Sequence, residues 1–242
     1  MVADITELDP RAWEAMKRAL NQRVVVSKSW LIPSKKNRVW VVETDVRSVV
    51  VKKSLSRRAH HEFEALLKAK GKGIDVPMPL FMDVDFLVME YVPGEPCDQL
   101  INLMFSTDVA ERLGVWLASF HEAFSDGGQS ILGDTVLSNF VLYDGRVFGF
   151  DLEDLRPGEP LDDVGMLATS ILATEPYFTP IKFDLCKHML MAYEEVVGVE
   201  VIESVRPYVA RHLRLACHGR PLLRRPFEQA AQGISRSWPR LA

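Results

Sequence analysis

The chain has 242 residues, of which 48% are hydrophobic and 26% charged, with a formal net charge of -4. This composition excludes a disordered chain, and the charge balance gives no overall attraction to nucleic acid or to an anionic membrane. Cys97, Cys186 and Cys217 form neither a CxxC pair nor an even disulfide framework, so a reducing, cytoplasmic location is expected.

The N-terminal text MVADITELDPRAWEAMKRAL has no basic segment leading into an apolar one, which argues against a signal peptide. No apolar run reaches the length of a bilayer span, so no membrane partner is expected. Asp9-Pro10 caps a first helix, in which Trp13, Met16 and Leu20 recur at helical spacing. RVVVSKSWLI, RVWVVET and SVVVKK then read as three strands of a meander, bounded by PSKKN and TDVR. Helical spacing returns at residues 57–70 through Ala59, Phe63, Leu66 and Leu67, and ends at Gly71 and Gly73. MPLFMDV and FLVMEYV are two further strands. Pro93-Gly94-Glu95-Pro96 is the clearest break, dividing a β-rich part (1–92) from a mostly helical one (93–242). Helices are expected at 107–124, 160–174, 183–197 and roughly 200–218. Between the first two of these lie NFVLY and RVFGF, joined by the hairpin signal Asp144-Gly145.

Beyond residue 205 the chain carries Arg206, Arg211, Arg214, Arg220, Arg224, Arg225, Arg236 and Arg240 against one acid, Glu228. These arginines read as a solvated helix face with a loose end, or alternatively as a docking patch for phosphate, RNA or an acidic partner protein.

Residues 132–154, LGDTVLSNFVLYDGRVFGFDLED, carry the chemistry. Asp134 and Asn139 precede a hairpin whose second strand runs into Asp151, so an acid, an amide and a second acid can converge. Asn139 and Asp151 offer the hard oxygens that Mg²⁺ prefers, and Asp134 is then available to orient a hydroxyl and accept its proton. A phosphoryl-transfer site also needs a cation on the phosphates. Lys52 closes the strand SVVVK and Lys53 points to the opposite face, so only one can serve, and the register favours Lys52. Glu64, in the following helix, is the expected carboxylate partner of Lys52; Glu62 projects from a different side of that helix. His121 reads as a packing or loop-bracing residue, His60-His61 as a solvated pair, and Glu153 and Asp154 as solvated turn residues.

This arrangement resembles the eukaryotic-type kinase fold in its reduced form, as in RIO kinases and the small kinase of the KEOPS complex, whose skeleton aminoglycoside and choline phosphotransferases share. The resemblance runs over roughly residues 24–197, through VVVK, FEALLKAKGKGIDVPMP, LVMEYVPGEP, LASFHEA with GDTVLSN, and FGFDLED. It implies a bilobal α+β protein-kinase-like fold that binds ATP with Mg²⁺ or Mn²⁺. In that reading the backbone at Glu90, Tyr91 and Val92 meets adenine, Lys52 held by Glu64 positions the phosphates, and Asn139 and Asp151 bind the metal. Asp134 orients the acceptor, and Asp163, or else Asp162, braces the catalytic segment. The loop that in the family is rich in glycine reads PSKKNR here, leaving Ser34, Lys35 and Lys36 to approach phosphate. The implied activity is transfer of the γ-phosphoryl group to a hydroxyl, on a protein Ser/Thr in a RIO-like or KEOPS-like enzyme. The alternatives are a small-molecule kinase of the aminoglycoside, sugar or choline type, and a non-catalytic nucleotide-binding module.

Overall fold

The structure, a computed structural model, describes residues 8–21, 23–34, 36–55, 58–218, 220–236 and 238. Lys35 and Arg240 lie outside the described residues. The chain divides into two compact units. One runs up to Pro93 and also takes Asp151–Glu153; the other comprises Gly94–Phe150 and the chain from Asp154 onward.

The N-terminal unit opens with helix α1 (Pro10–Leu20), where Asp9 Oδ1 accepts the Arg11 N–H and caps the first turn. Strands β1 (Val26–Ile32), β2 (Arg38–Thr44) and β3 (Val49–Lys53) follow, then α2 (Ala59–Gly71), β4 (Pro79–Asp83) and β5 (Phe86–Glu90). The five strands form an antiparallel sheet in the order β1-β2-β3-β5-β4. The period-2 alternation of β3 sorts its side chains. Val49 and Val51 pack with Ala12, Ala15 and Met16 of α1, and Lys53 on the same face pairs with Asp9 at 2.8 Å. Lys52 therefore points the other way, onto the face that meets α2.

In the C-terminal unit, a short strand β6 (Glu95–Pro96) leads to α3 (Cys97–Asn102) and α4 (Thr107–Ala123). Then come β7 (Ser130–Ile131), β8 (Phe140–Tyr143), β9 (Arg146–Gly149) and β10 (Arg156–Pro157). Asp144 and Gly145, with φ of 49° and 69°, make the two-residue turn between β8 and β9 that the Asp-Gly pair predicts. Helices α5 (Pro160–Leu172), α6 (Pro180–Val197), α7 (Ile202–Ala216) and α8 (Arg224–Arg236) complete the unit. The helix α8 and the short α3 are additions to the sequence expectation. The chain is α+β, a β-rich sheet part followed by a helical part, as expected. No helix among the described residues is long and apolar enough to cross a membrane.

The described arginines beyond residue 205 are exposed, as a solvated face requires, apart from the half-buried Arg206, and several also make specific contacts. Arg206 donates to the Ile234 and Ser235 carbonyls, Arg220 to the Ala173 carbonyl, and Arg224 pairs with Glu228 at 2.8 Å. Arg206 thereby ties α7 to the end of α8 and Arg220 reaches the end of α5, whereas the Arg224 pair lies within α8, so part of the arginine excess has a structural use.

Lys182 is fully buried in α6, its ammonium donating to Asn102 Oδ1 and, at 3.2 Å, to Thr174 Oγ1. Burial lowers its pKa to about 8. Between that value and the ordinary 10.5 the folded chain binds fewer protons than the unfolded one, so stability rises as pH climbs through this window. Urea midpoints measured across it should move upward with pH in the native protein, and Lys182→Met should flatten that rise.

Candidate active site

Lys52 sits among carboxylates of the N-terminal unit. Its Nζ lies 2.7 Å from Glu62 Oε2, 2.5 Å from Asp151 Oδ1 and 3.4 Å from Glu153 Oε2. Oxygens of the three acids lie within 4.8 Å of one another. Lys52, Glu62 and Glu153 are buried, whereas the Asp151 side chain is 25% exposed. Burial opposes the charge on Lys52, but Glu62 and Asp151 outweigh it and hold the ammonium protonated well above its ordinary range. Burial pushes the Glu62 carboxyl up to about 7; Lys52 pulls it down, while Asp151 and Glu153 add to the rise. Glu62 Oε1 is buried with no hydrogen-bond partner, so Lys52 is the principal stabiliser of this acid.

The partner of Lys52 is thus Glu62, not Glu64. Ala59, Glu62, Ala65, Leu66 and Ala69 form the buried stripe of α2, and Glu64 lies off it, exposed and 3.5 Å from His60. Glu153 likewise departs from its expected place in a solvated turn. It is buried, and besides facing Lys52 it accepts a hydrogen bond from Asn37 Nδ2 at 3.1 Å. Asn37 was not foreseen as part of the site. Its Oδ1 accepts the Leu55 N–H, and its own N–H donates to Ser34 Oγ, so the glycine-free turn is anchored through Asn37 to Glu153. Lys36 is exposed on that turn.

Asp151 has φ of 65°, a left-handed conformation that costs a non-glycine residue of order 1–3 kcal/mol. At the far end of the sheet, the Glu90 N–H donates to the Met78 carbonyl and the Tyr91 N–H to the Ser48 carbonyl. An adenine contact through those two amides would have to displace bonds of the sheet. Trp30 stands edge-on to Tyr91 with ring centroids 6.2 Å apart.

In the C-terminal unit, Asp134 and Asn139 come together, since Asn139 Nδ2 donates to the Asp134 carbonyl at 2.8 Å. Their segment is fixed from α5. Asp163, 1% exposed, accepts the N–H groups of Leu132 at 2.6 Å and Gly133 at 3.0 Å. Gly133, with φ of 77°, lets the chain turn into Asp134. Asp163 Oδ2, the oxygen that accepts from Leu132, also meets His121 Nε2 at 3.2 Å, and His121 Nδ1 meets the Tyr193 hydroxyl at 2.9 Å. A carboxylate only accepts, so His121 donates to Asp163 through Nε2–H, and its Nδ1 is held by the Tyr193 hydroxyl. The brace is therefore Asp163, and His121 supports it; Asp162 instead receives Arg211 and His212.

A model described as the phosphotransferase enzyme family matches residues 32–131, ending three residues before Asp134. No curated protein gives a significant match. Among solved structures, an amicoumacin kinase in complex with AMP-PNP and Ca²⁺ aligns with a TM-score of 0.70 at 14% identity, over 94% of each chain. A putative aminoglycoside phosphotransferase from Ralstonia eutropha gives 0.65 at 14% identity, over 95% of this chain and 99% of that one. An ethanolamine kinase from Plasmodium vivax gives 0.65 at 9% identity, over 98% and 92%. These likenesses establish a protein-kinase-like fold of the kind found in small-molecule kinases. They lend no support to the closeness to RIO and KEOPS kinases that the sequence motifs suggest.

Proposed function

We propose that the protein is an ATP-dependent phosphotransferase acting on a hydroxyl group of a small molecule. The observation that carries this reading is the buried Lys52–Glu62 pair with Asp151 beside it, one fixed cation next to a partly exposed acid on a strained residue. The match to the phosphotransferase family over residues 32–131 supports the reaction class. The small-molecule kinases among the structural neighbours favour a small acceptor over a protein Ser/Thr.

In this reading Lys52 binds the ATP phosphates and Glu62 holds the lysine in place. Three clustered carboxylates are a hard-oxygen donor set of the kind Mg²⁺ or Mn²⁺ takes, and Asp151 is the member open enough to serve. When bound, the ion neutralises charge on the phosphate oxygens. Asn139 is its second ligand in this assignment. Binding Asp134 through Nδ2 leaves the amide oxygen as its ligand atom. Asp134 orients the acceptor hydroxyl and takes its proton. The roles of Asp134 and Asn139 rest on their order in GDTVLSN ahead of FD. Ser34 and Lys36 are assigned to the phosphates, and to the base the backbone of Val92 together with groups of Glu90 and Tyr91 other than their bonded amides.

ADP release measured with Mg·ATP and a panel of small hydroxyl compounds tests the reading beside protein substrates. Turnover with a small compound that Asp134→Asn abolishes is expected; turnover only with proteins would replace the small-molecule assignment. The same assay separates the two glutamates. Glu62→Gln should lower kcat/KM for ATP by about tenfold to a hundredfold, and Glu64→Gln should stay within about twofold of the native protein.

A further inference from the structure

The C-terminal unit contains a cavity of about 640 Å³, within the range of small-molecule sites. Its charged lining is one-sided: Arg156, Arg211 and Arg220 against a single carboxylate, Asp162. That carboxylate is already shared, since Asp162 Oδ1 receives both Arg211 and, at 2.6 Å, His212 Nε2. Arg156 and Arg220 donate to the carbonyls of Asp154 and Ala173 rather than to acids, so their charge stays uncompensated by those contacts. Ser170 and Thr174 add hydroxyls to the wall, and Met166, Leu215 and Ala216 an apolar surface.

The cavity adjoins the segment that carries Asp134. Val136, which lines it, donates its N–H to the Asp134 carbonyl at 3.1 Å. The next residue, Leu137, donates to Ser170 Oγ at 3.0 Å, and the Arg156 guanidinium lies over Gly133. Arg156 thus stands beside the segment assigned to the acceptor hydroxyl, while Arg211 and Arg220 line the cavity along α5, anchored at Asp162 and at Ala173.

We infer that this cavity binds the phosphoryl acceptor, and that the acceptor is a small hydroxyl compound bearing a phosphate or carboxylate group. The inference rests on the proposed phosphotransferase function only in naming the ligand an acceptor. Guanidiniums recognise oxyanions by paired, charge-assisted hydrogen bonds, whereas a polycationic aminoglycoside or choline meets like charge here. In the transfer, the acceptor oxygen bonds to the γ-phosphorus as the bond from that phosphorus to the β,γ-bridging oxygen breaks. ADP leaves with that electron pair, and the hydroxyl proton passes to Asp134.

The test is isothermal titration of protein saturated with a non-hydrolysable ATP analogue. The probes are 3-phosphoglycerate, ribose 5-phosphate and gluconate on one side, and glucose, choline and kanamycin on the other. At least one anionic probe should bind with a Kd below about 1 mM, and should release ADP once ATP replaces the analogue. Arg211→Gln/Arg220→Gln should weaken that binding about tenfold or more, while Arg224→Gln, which removes a charge from outside the cavity, leaves it unchanged. No binding by any anionic probe, binding indifferent to the arginine pair, or tighter binding of choline or kanamycin overturns the inference. Arginine-dependent binding without ADP release overturns the acceptor role. A protein that fails to take up the ATP analogue refutes the phosphotransferase reading instead, and the anion titrations still report on the cavity.

Discussion

Lys52→Met is expected to lower kcat/KM for ATP by about two to three orders of magnitude and to destabilise the fold as well. The catalytic loss follows from removing the cation assigned to the phosphates. The stability loss follows from geometry, because Glu62, Asp151 and Glu153 then share a space within 4.8 Å with no positive charge among them. Glu62 is fully buried and has one oxygen without a partner even in the native protein. Breaking a buried pair from one side costs about 3–5 kcal/mol, reduced to the extent that Glu62 takes up a proton. The two effects can be separated. Lys52→Met/Glu62→Gln removes the stranded charge, so urea denaturation should show much of the stability regained, while kcat/KM for ATP stays as low as in the single variant. Recovery of both together would mean that Lys52 acts only through the fold.

Asp163→Ala should be the second large effect, on turnover more than on nucleotide binding. The carboxylate accepts from the backbone of Leu132 and Gly133 and from His121, all in a nearly closed site. Its removal leaves buried donors unpaired at about 1–3 kcal/mol each, so a loss of about 3–5 kcal/mol is expected from thermal or urea unfolding. Those donors hold the chain just ahead of Asp134, so kcat should fall at least about tenfold while the dissociation constant for ATP changes little. Asp163→Asn keeps the size and one acceptor oxygen and should recover part of the stability. A matching rise in the dissociation constant for ATP would show that Asp163 supports the fold as a whole rather than this segment.

Much of this arrangement is legible in the sequence because local patterns and tertiary demands agree. The valine runs fix three strands, alternation along VVVKK separates Lys52 from Lys53, and Asp-Gly fixes the hairpin after Asn139. The choice of Glu64 failed for a particular reason. The expected stripe was Ala59, Phe63, Leu66 and Leu67; Ala59 and Leu66 are buried, but Leu67 is 41% exposed, and Ala65 and Ala69 complete the buried face in place of Phe63 and Leu67. Small residues at that spacing mark a helix packed closely against a sheet, and Glu62 falls on their stripe. With that signal, Glu62 could have been found.

Glu153 and Asn37 were harder to read. Their burial depends on contacts 116 residues apart in sequence, which no local pattern encodes. Asp151 carries no local mark of its positive φ, since glycine is the residue that ordinarily announces one. The described arginines after residue 205 are exposed as the sequence suggests, Arg206 excepted, but the carbonyls that Arg206 and Arg220 reach at the ends of α8 and α5 exist only through the packing of those helices and could not be read.

The most direct test of the central claim is to incubate the native protein and Asp151→Asn with γ-labelled ATP and Mg²⁺, and follow the label. The native protein should transfer it to a small hydroxyl compound or release it as phosphate, and the variant should do neither. Release by Asp151→Asn at the native rate, or a native protein that does not bind Mg·ATP, would contradict the account.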